Sequence, residues 1–149
     1  MKTCLTLALA AAAIAAETKV LMKDLPPAVQ KAVQAQTAGA QIKGLSKETG
    51  KGKTVYEIET IVNGKSRDLT LDAAGTVVEI EEQVALDSIP AEAKAAIEKK
   101  AAGGRIKTVE SVMIVGPAKG STVVYEAAYA KGGKSHEVQV RADGSDVKD

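Results

Sequence analysis

Apolar residues recur at helical spacing in two segments of the chain, residues 25–33 and residues 89–97. Each segment has a proline near its start, which suits the first turn of a helix, and a glycine beyond its end, which suits a helix terminus. The apolar stripe consists of Leu25, Val29, Ala32 and Val33 in the first segment, and of Ile89, Ala93, Ala96 and Ile97 in the second. Each predicted helix therefore has one apolar face that needs a sheet to cover.

Alternating apolar and polar residues follow each predicted helix and predict a β-hairpin. In the first hairpin, residues 54–62 and residues 65–72 flank Asn63-Gly64, a strong two-residue turn signal. Gly132-Gly133 plays the same part in the second hairpin. Counting outward from the two turns pairs Tyr56 with Leu71, Ile58 with Leu69, Tyr125 with Val140, Ala127 with Val138, and Tyr129 with His136. Further short strands are predicted at residues 77–81 and around residues 42 and 106.

The two halves of the chain resemble each other in sequence. Leu25-Pro26 recurs as Ile89-Pro90, 64 positions later, and Tyr56-Glu57 recurs as Tyr125-Glu126, 69 positions later, because of an insertion around residues 116–120. The sequence therefore predicts an α+β fold of two tandem repeats, each a helix packed on a three- to four-stranded antiparallel sheet. Residues 16–82 form the first predicted repeat and residues 83–149 the second.

The face of each sheet turned away from its helix is predicted to be open. One interpretation of its polar residues is a solvated sheet face. The other is a binding surface with an acidic half, suited to a basic partner. The residues predicted for this partner-binding face are Glu57, Glu59, Asp68 and Asp72 in the first repeat, and Glu126, Glu137 and Arg141 in the second.

The chain begins with the features of a secretory signal peptide. A short basic start, residues 1–3, precedes an apolar run over residues 4–16, and Ala13-Ile14-Ala15 fits a small-x-small cleavage site. The apolar run is shorter than the stretch of about 20 residues that spans a bilayer. We therefore expect residues 1–15 to be removed, and the protein to be periplasmic or secreted and free of the membrane after cleavage.

The composition of the mature chain narrows its chemistry and its partners. Removal of the signal takes away Lys2 and Cys4, which leaves equal numbers of basic and acidic residues and no cysteine. Such a balance argues against nucleic acid as a partner, because nucleic-acid binding calls for a basic surface. Without cysteine, the fold must be held together by packing rather than by disulfides.

The sequence offers no set of residues for catalysis, a cofactor or a metal. His136 is the single histidine, and its register places it beside Tyr129 on the helix-covered side, where a packed histidine is the simpler interpretation. The cluster of Glu79, Glu81 and Glu82 and the segment Asp143–Asp146 offer possible calcium ligands, but neither has the spacing of a full ligand set. We therefore predict no enzyme, no cofactor and no metal site.

The chain resembles the PepSY-like family, including the periplasmic proteins grouped with the beta-lactamase inhibitory protein fold. The resemblance is carried by the helix openings Leu25-Pro26 and Ile89-Pro90, by the strands at Tyr56-Glu57 and Tyr125-Glu126, and by the turns that end at Gly75 and Gly144. It implies a helix packed on an antiparallel sheet, export, and roles in restraining peptidases or other extracellular proteins. It brings no catalytic residue.

These observations favour an exported, non-catalytic binding or regulatory module that holds a protein or peptide of the cell envelope on its open sheet faces. Restraint of a peptidase is one such role. The alternative is an envelope protein that senses or binds a small ligand or a metal ion.

Overall fold

Two ten-residue helices form where the apolar stripes predict them. The computed structural model describes residues 17–50, 52–116 and 120–147, so the predicted signal peptide lies outside the described residues. Helix α1 is Pro27–Gln36 and helix α2 is Ala91–Lys100, and each begins directly after a proline that occupies the N-cap position. A short 3-10 helix precedes each of them, at Met22–Asp24 and at Leu86–Ser88.

Eight strands form one antiparallel sheet in which each strand pairs with its neighbours in the chain. The strands are β1 (Thr18–Lys19), β2 (Gln41–Gly50), β3 (Lys53–Val62), β4 (Lys65–Asp72), β5 (Val77–Gln83), β6 (Arg105–Gly116), β7 (Gly120–Lys131) and β8 (Lys134–Arg141). The α+β class is confirmed. The expected three- to four-stranded sheets are joined into one, because β5 pairs with β6 from Glu79↔Ile114 to Gln83↔Glu110. That pairing covers two strand edges that would otherwise be exposed.

The register that the hairpin turns predicted is confirmed in both hairpins. Strands β3 and β4 pair Tyr56 with Leu71 and Ile58 with Leu69, and Asn63 and Gly64 adopt the positive φ angles, 51° and 80°, of a tight hairpin turn. Strands β7 and β8 likewise pair Tyr125 with Val140, Ala127 with Val138, and Tyr129 with His136. Since register decides which face a side chain occupies, these pairs also fix the two faces of the sheet.

One face of the sheet carries both helices and two separate clusters of buried apolar residues. The cluster under α1 consists of Leu25, Val29, Val33, Tyr56, Ile58, Leu69 and Leu71. The cluster under α2 consists of Ile89, Ala93, Ile97, Val109, Ala127 and Val140. The single sheet runs beneath both clusters and links them through β5 and β6.

Each helix also rests on a glycine of the turn that follows a hairpin. A Cβ atom placed on Gly75 would lie 2.6 Å from the carbonyl oxygen of Ala28, and one placed on Gly144 would lie 2.7 Å from that of Glu92. Both glycines have positive φ angles, 81° and 77°. Only glycine combines that backbone conformation with so close an approach to a helix. The two helices are therefore seated on the sheet in the same way.

Candidate functional site

The candidate site is the sheet face opposite the helices, which we call the open face. Directly paired residues of neighbouring strands lie on the same face of a sheet, so the pairing register identifies its members. One row of pairs crosses the sheet through Ser46, Glu57, Thr70, Glu79 and Ile114. A second row runs through Asp68, Glu81, Val112, Val124 and Arg141. The carboxylates of the first half of the chain thus lie on one surface with residues of the second half.

Each strand from β2 to β8 contributes a carboxylate to the open face, and together these carboxylates form what we call the acidic band. By register the band consists of Glu48, Glu57, Asp68, Glu79, Glu81, Glu110, Glu126 and Glu137. Two of its pairs place acids directly opposite each other, Asp68↔Glu81 and Glu110↔Glu126. Like charges in this arrangement destabilise a sheet.

Parts of the open face are buried although both helices pack on the other side of the sheet. Glu57 is only 6% exposed and Glu81 only 8% exposed. Val112 and Val124, in the same row as Glu81, are 1% and 2% exposed. A simple solvated face would leave such side chains in water. The centre of the open face is instead a partly dehydrated surface of carboxyl groups and small apolar side chains.

Glu79 shows the electrostatic consequence of this burial. Burial raises the pKa of its carboxyl group from the usual 4.5 to about 7, since removal from water disfavours the charged form. A hydrogen bond with the Glu81 side chain opposes the rise, whereas the negative charges of Glu126, Glu57 and Glu48 add to it. The carboxyl group of Glu79 therefore changes its protonation state near neutral pH.

Glu126 lies in a similar setting on β7. Burial raises the pKa of its carboxyl group, and the charges of Glu137 and Glu110 raise it further. The side-chain amide of Gln139 donates a hydrogen bond of 2.5 Å to Glu126 Oε2 and limits the effect. The electrostatic strain of the acidic band therefore extends across both halves of the sheet.

The structure places the predicted partner-binding residues in three kinds of environment. Glu57, Glu126 and Glu137 lie in the acidic band, and Glu137 is exposed there, as is Glu59 on the same face. Asp68 Oδ1 accepts a hydrogen bond of 3.0 Å from the backbone N–H of Thr60. Asp72 Oδ1 accepts two hydrogen bonds, from the backbone N–H groups of Ala74 and Thr76, and Arg141 Nη1 donates to the carbonyl oxygen of Asp146. The last three residues thus also hold the backbone of turns and neighbouring strands.

Sequence reasoning missed the most perturbed residue of this face. The sequence suggests Glu79 and Glu81 only as possible calcium ligands, whereas the structure places both on β5 at the middle of the sheet. The signal that could have found them is the alternation Glu79-Ile80-Glu81, in which Ile80 packs against the α1 cluster and its neighbours face the other way. Recognising it required knowing that β5 is a central strand.

The helix side of the sheet holds the single histidine. The rings of Tyr129 and His136 stack with their centroids 5.2 Å apart and an interplanar angle of 19°. Within residues 17–50, 52–116 and 120–147, no group of three or more histidine, cysteine, aspartate or glutamate side chains is arranged to hold a metal ion. No helix in that part of the chain is long and apolar enough to cross a membrane.

Comparison with known proteins confirms the resemblance to the PepSY-like family. Residues 27–81, which include α1 and the strands β2 to β4, match the model of the family described as the peptidase propeptide and YPEB domain. No curated protein matches the chain significantly in sequence.

Solved structures of Bacteroides proteins share the fold. A candidate periplasmic protein from Bacteroides eggerthii has a TM-score of 0.65 at 17% identity, over 83% of this chain and 86% of that chain. A DUF2874 family protein from Bacteroides uniformis has a TM-score of 0.62 at 16% identity, over 83% and 86%. A BLIP-like protein from Bacteroides fragilis has a TM-score of 0.58 at 14% identity, over 83% and 84%. Because these alignments span both halves of the chain, the similarity extends well beyond residues 27–81.

Proposed function

We propose that the chain is an exported, non-catalytic binding module that holds a protein of the cell envelope on the open face of its sheet. The observation that carries this proposal is the composition of that face. It combines buried carboxylates at Glu57 and Glu81 with buried valines at Val112 and Val124, on a side of the sheet that neither helix covers. The centre of a protein interface is its most apolar part and its rim is polar, so Val112 and Val124 among polar side chains are the element of this face that fits an interface centre.

The relatives support the same class of function. The matching family is named for peptidase propeptides, and one structural neighbour is named for its likeness to BLIP. Another is a candidate periplasmic protein, which agrees with the predicted signal peptide over residues 1–15. In this proposal the protein is periplasmic, and restraint of a peptidase is the specific role to test first.

The two halves also have the features of two copies of one unit, which we include in the proposal. Their ten-residue helices each rest on a positive-φ glycine, Gly75 or Gly144. Strands β2 and β6 carry a β-bulge at matching places, between Ile42 and Gly44 and between Ile106 and Thr108. Such a duplication would give the open face its width, since each copy contributes part of it.

An affinity capture experiment with charge-reversed baits tests the binding function. The protein would be used as bait in periplasmic extract of the organism that produces it. One variant carries Glu59→Lys and Glu137→Lys, both exposed on the open face, and the matched control carries Glu92→Lys and Glu98→Lys, both exposed on α2. We expect a partner that is retained by the wild type and by the control and lost by the open-face variant.

The captured partner then tests the specific role. If it is a peptidase, its hydrolysis rate should fall as the wild-type protein is added and should not fall with the open-face variant. Capture that is equal for the two variants, or absent from all baits, would show that the open face is not a protein-binding surface.

A further inference from the structure

The outer edge of β8 is built like the edge of β4 that β5 covers. The 69-residue offset between the two halves makes β8 the counterpart of β4. The pair nearest the turn that follows β4 is Leu71↔Val77, and the pair at the corresponding place after β8 is Val140↔Asp146. In both halves the residues after the turn therefore start to pair with the preceding strand in the same way.

Beyond this first pair the two edges differ. Strand β5 continues along β4 as far as the pair Arg67↔Glu82, whereas the strand order of the described residues ends at β8. Counted from the two-residue turn, Ser135 and Glu137 occupy non-hydrogen-bonded pairs of the β7–β8 hairpin. Their backbone N–H and C=O groups therefore point away from β7, toward the outer edge. Residues 17–50, 52–116 and 120–147 place no strand beside these groups.

Side chains on β8 are more exposed than their counterparts on β4. The second, third and fourth positions of the strand are half-buried on β4 and exposed on β8. At the fifth position Leu69 is 1% exposed, whereas Val138 is only half-buried. Leu69 pairs with Ile80 of β5, and the described residues place nothing at the corresponding position beside Val138. The α2 cluster therefore borders on an apolar side chain that an additional strand would cover.

The helix side of this edge also favours a particular charge on such a strand. Arg67 on β4 is bound by Glu82 of β5, with 2.9 Å between Nε and Oε1. His136 occupies the position on β8 that corresponds to Arg67, and Lys134 lies on the same side of the sheet two positions earlier. Glu137 faces the opposite side, which is the open face. A carboxylate on an added strand would therefore meet N–H donors and positive charge opposite His136.

We propose that the outer edge of β8 receives an extended segment of a partner protein as an additional antiparallel strand, in the position that β5 occupies on β4. The segment carries an aliphatic residue opposite Val138 and a carboxylate opposite His136, which is the pattern that β5 presents to β4. Backbone hydrogen bonds supply the affinity of such strand addition, and alternate side chains supply its specificity. This edge is a different surface from the open face, so the inference does not depend on the proposed function.

Nuclear magnetic resonance titration with defined peptides tests the inference. The probe is the capped six-residue peptide Thr-Ile-Thr-Glu-Thr-Glu, whose isoleucine falls opposite Val138 when its first glutamate falls opposite His136. The control is the same peptide N-methylated at its third residue, which removes the N–H that would donate to the carbonyl oxygen of Glu137. We expect the probe to bind at least about tenfold more tightly than the control, because only the probe completes the ladder.

Hydrogen exchange on the same samples shows whether the edge is open before the peptide is added. The amide hydrogens of Ser135 and Glu137 should exchange rapidly in the free protein, because the described residues leave them unpaired. Saturation with the probe should slow both by about tenfold or more, since each then lies inside a ladder.

Variants of β8 locate the site. Glu137→Pro removes an outward N–H that an edge strand does not need, and Glu137→Ala is its matched control because it keeps that N–H. We expect at least about tenfold weaker binding of the probe for the proline variant and less than about twofold change for the alanine variant. Circular dichroism checks that both are folded, and the comparison of the two peptides on the wild type remains decisive if one is not.

The carboxylate has a test of its own. His136→Arg introduces the residue that β4 carries at the corresponding position. It should tighten binding of the probe about twofold to fivefold, because an arginine–carboxylate pair then forms as it does between Arg67 and Glu82. A peptide with glutamine in place of the first glutamate should bind the variant and the wild type equally.

Several results would overturn the inference. Equal affinity of the probe and the N-methylated peptide would show that no strand is added, as would equal loss in the two Glu137 variants. Slow amide exchange in the free protein at every concentration would show that the chain covers its own edge, and slow exchange only in concentrated samples would show that a second copy covers it. A gain with His136→Arg that persists for the glutamine peptide would refute the carboxylate.

Discussion

Replacement of Glu79 by glutamine should stabilise the protein above neutral pH. Burial and the neighbouring carboxylates raise the pKa of Glu79 from 4.5 to about 7. Between these two pH values the folded chain keeps a proton at Glu79 that the unfolded chain has lost. The stability associated with this proton is fully present below about pH 4.5 and is lost as the pH rises through about 7. Glutamine mimics the protonated carboxyl group at every pH and should abolish the loss.

The size of the effect follows from the shift in pKa. Each unit corresponds to about 1.4 kcal/mol, so the rise from 4.5 to about 7 is worth about 3 kcal/mol over the whole titration. Between pH 5 and pH 8 the wild type should lose about 2 kcal/mol through this group. For a chain of this length that loss lowers the melting temperature by roughly 4–8 °C. Glu126 and Glu48, whose pKa values burial also raises, act in the same direction.

Urea denaturation from pH 5 to pH 8 measures the prediction. We expect Glu79→Gln to exceed the wild type by about 3 kcal/mol at pH 8 and by less than about 1 kcal/mol at pH 5. Glu92→Gln, on the exposed side of α2, should follow the wild-type curve at every pH. Parallel curves for Glu79→Gln and the wild type would refute the reasoning, because they would show that the folded chain holds no extra proton at Glu79.

Three further predictions concern the fold and the signal peptide. Gly75→Ala should lower the free energy of unfolding, measured by chemical denaturation, by about 3 kcal/mol, because the added Cβ would lie 2.6 Å from a helix carbonyl oxygen. Gly64→Ala, whose added Cβ would have no atom within 4 Å, should lower it by about 1 kcal/mol. Ile58→Ala and Ile97→Ala should each lower the free energy of unfolding by about 2–5 kcal/mol. Each variant should still unfold in a single calorimetric transition, because one sheet joins the two cores, and two separated transitions would contradict this expectation. Mass spectrometry of the exported protein should show loss of residues 1–15, and an intact start would refute the predicted cleavage.

Local chemistry explains why so much of each hairpin could be predicted from the sequence. The two-residue turn at Asn63-Gly64 permits one register, and the alternation of residues on either side then decides which face each occupies. The same logic placed Tyr129 beside His136 around a Gly132-Gly133 turn. These features depend only on contacts within one hairpin, and such contacts are encoded in a single short stretch of sequence.

The joining of the two halves could not be predicted in that way. The pairing of β5 with β6 brings Ile80 opposite Met113 across a segment that contains α2, and no turn sets its register. The sequence shows only that each strand alternates, which leaves its partner open. Since the central position of Glu79 follows from this pairing, the most perturbed group of the candidate site was hidden for the same reason.

The roles of Asp68 and Asp72 show a second limit of pattern reasoning. Alternation places both on the open face, yet Asp68 accepts a backbone hydrogen bond from Thr60 and Asp72 accepts two in the turn that follows β4. Aspartate has a short side chain that readily bonds to nearby backbone groups. Alternation therefore places a residue on a face without showing whether its side chain bonds to nearby backbone groups.

The energetic cost of the acidic band is itself an argument about function. Glu79 alone makes the folded state about 3 kcal/mol less stable at high pH than a neutral group would, in a class of molecules whose total stability is about 5–15 kcal/mol. Opposed pairs such as Glu110↔Glu126 add to that cost. Glutamine at these positions would remove the repulsion without changing the size of the side chain. Charged residues that make a protein less stable than a neutral substitute would are expected at sites where the charge serves binding.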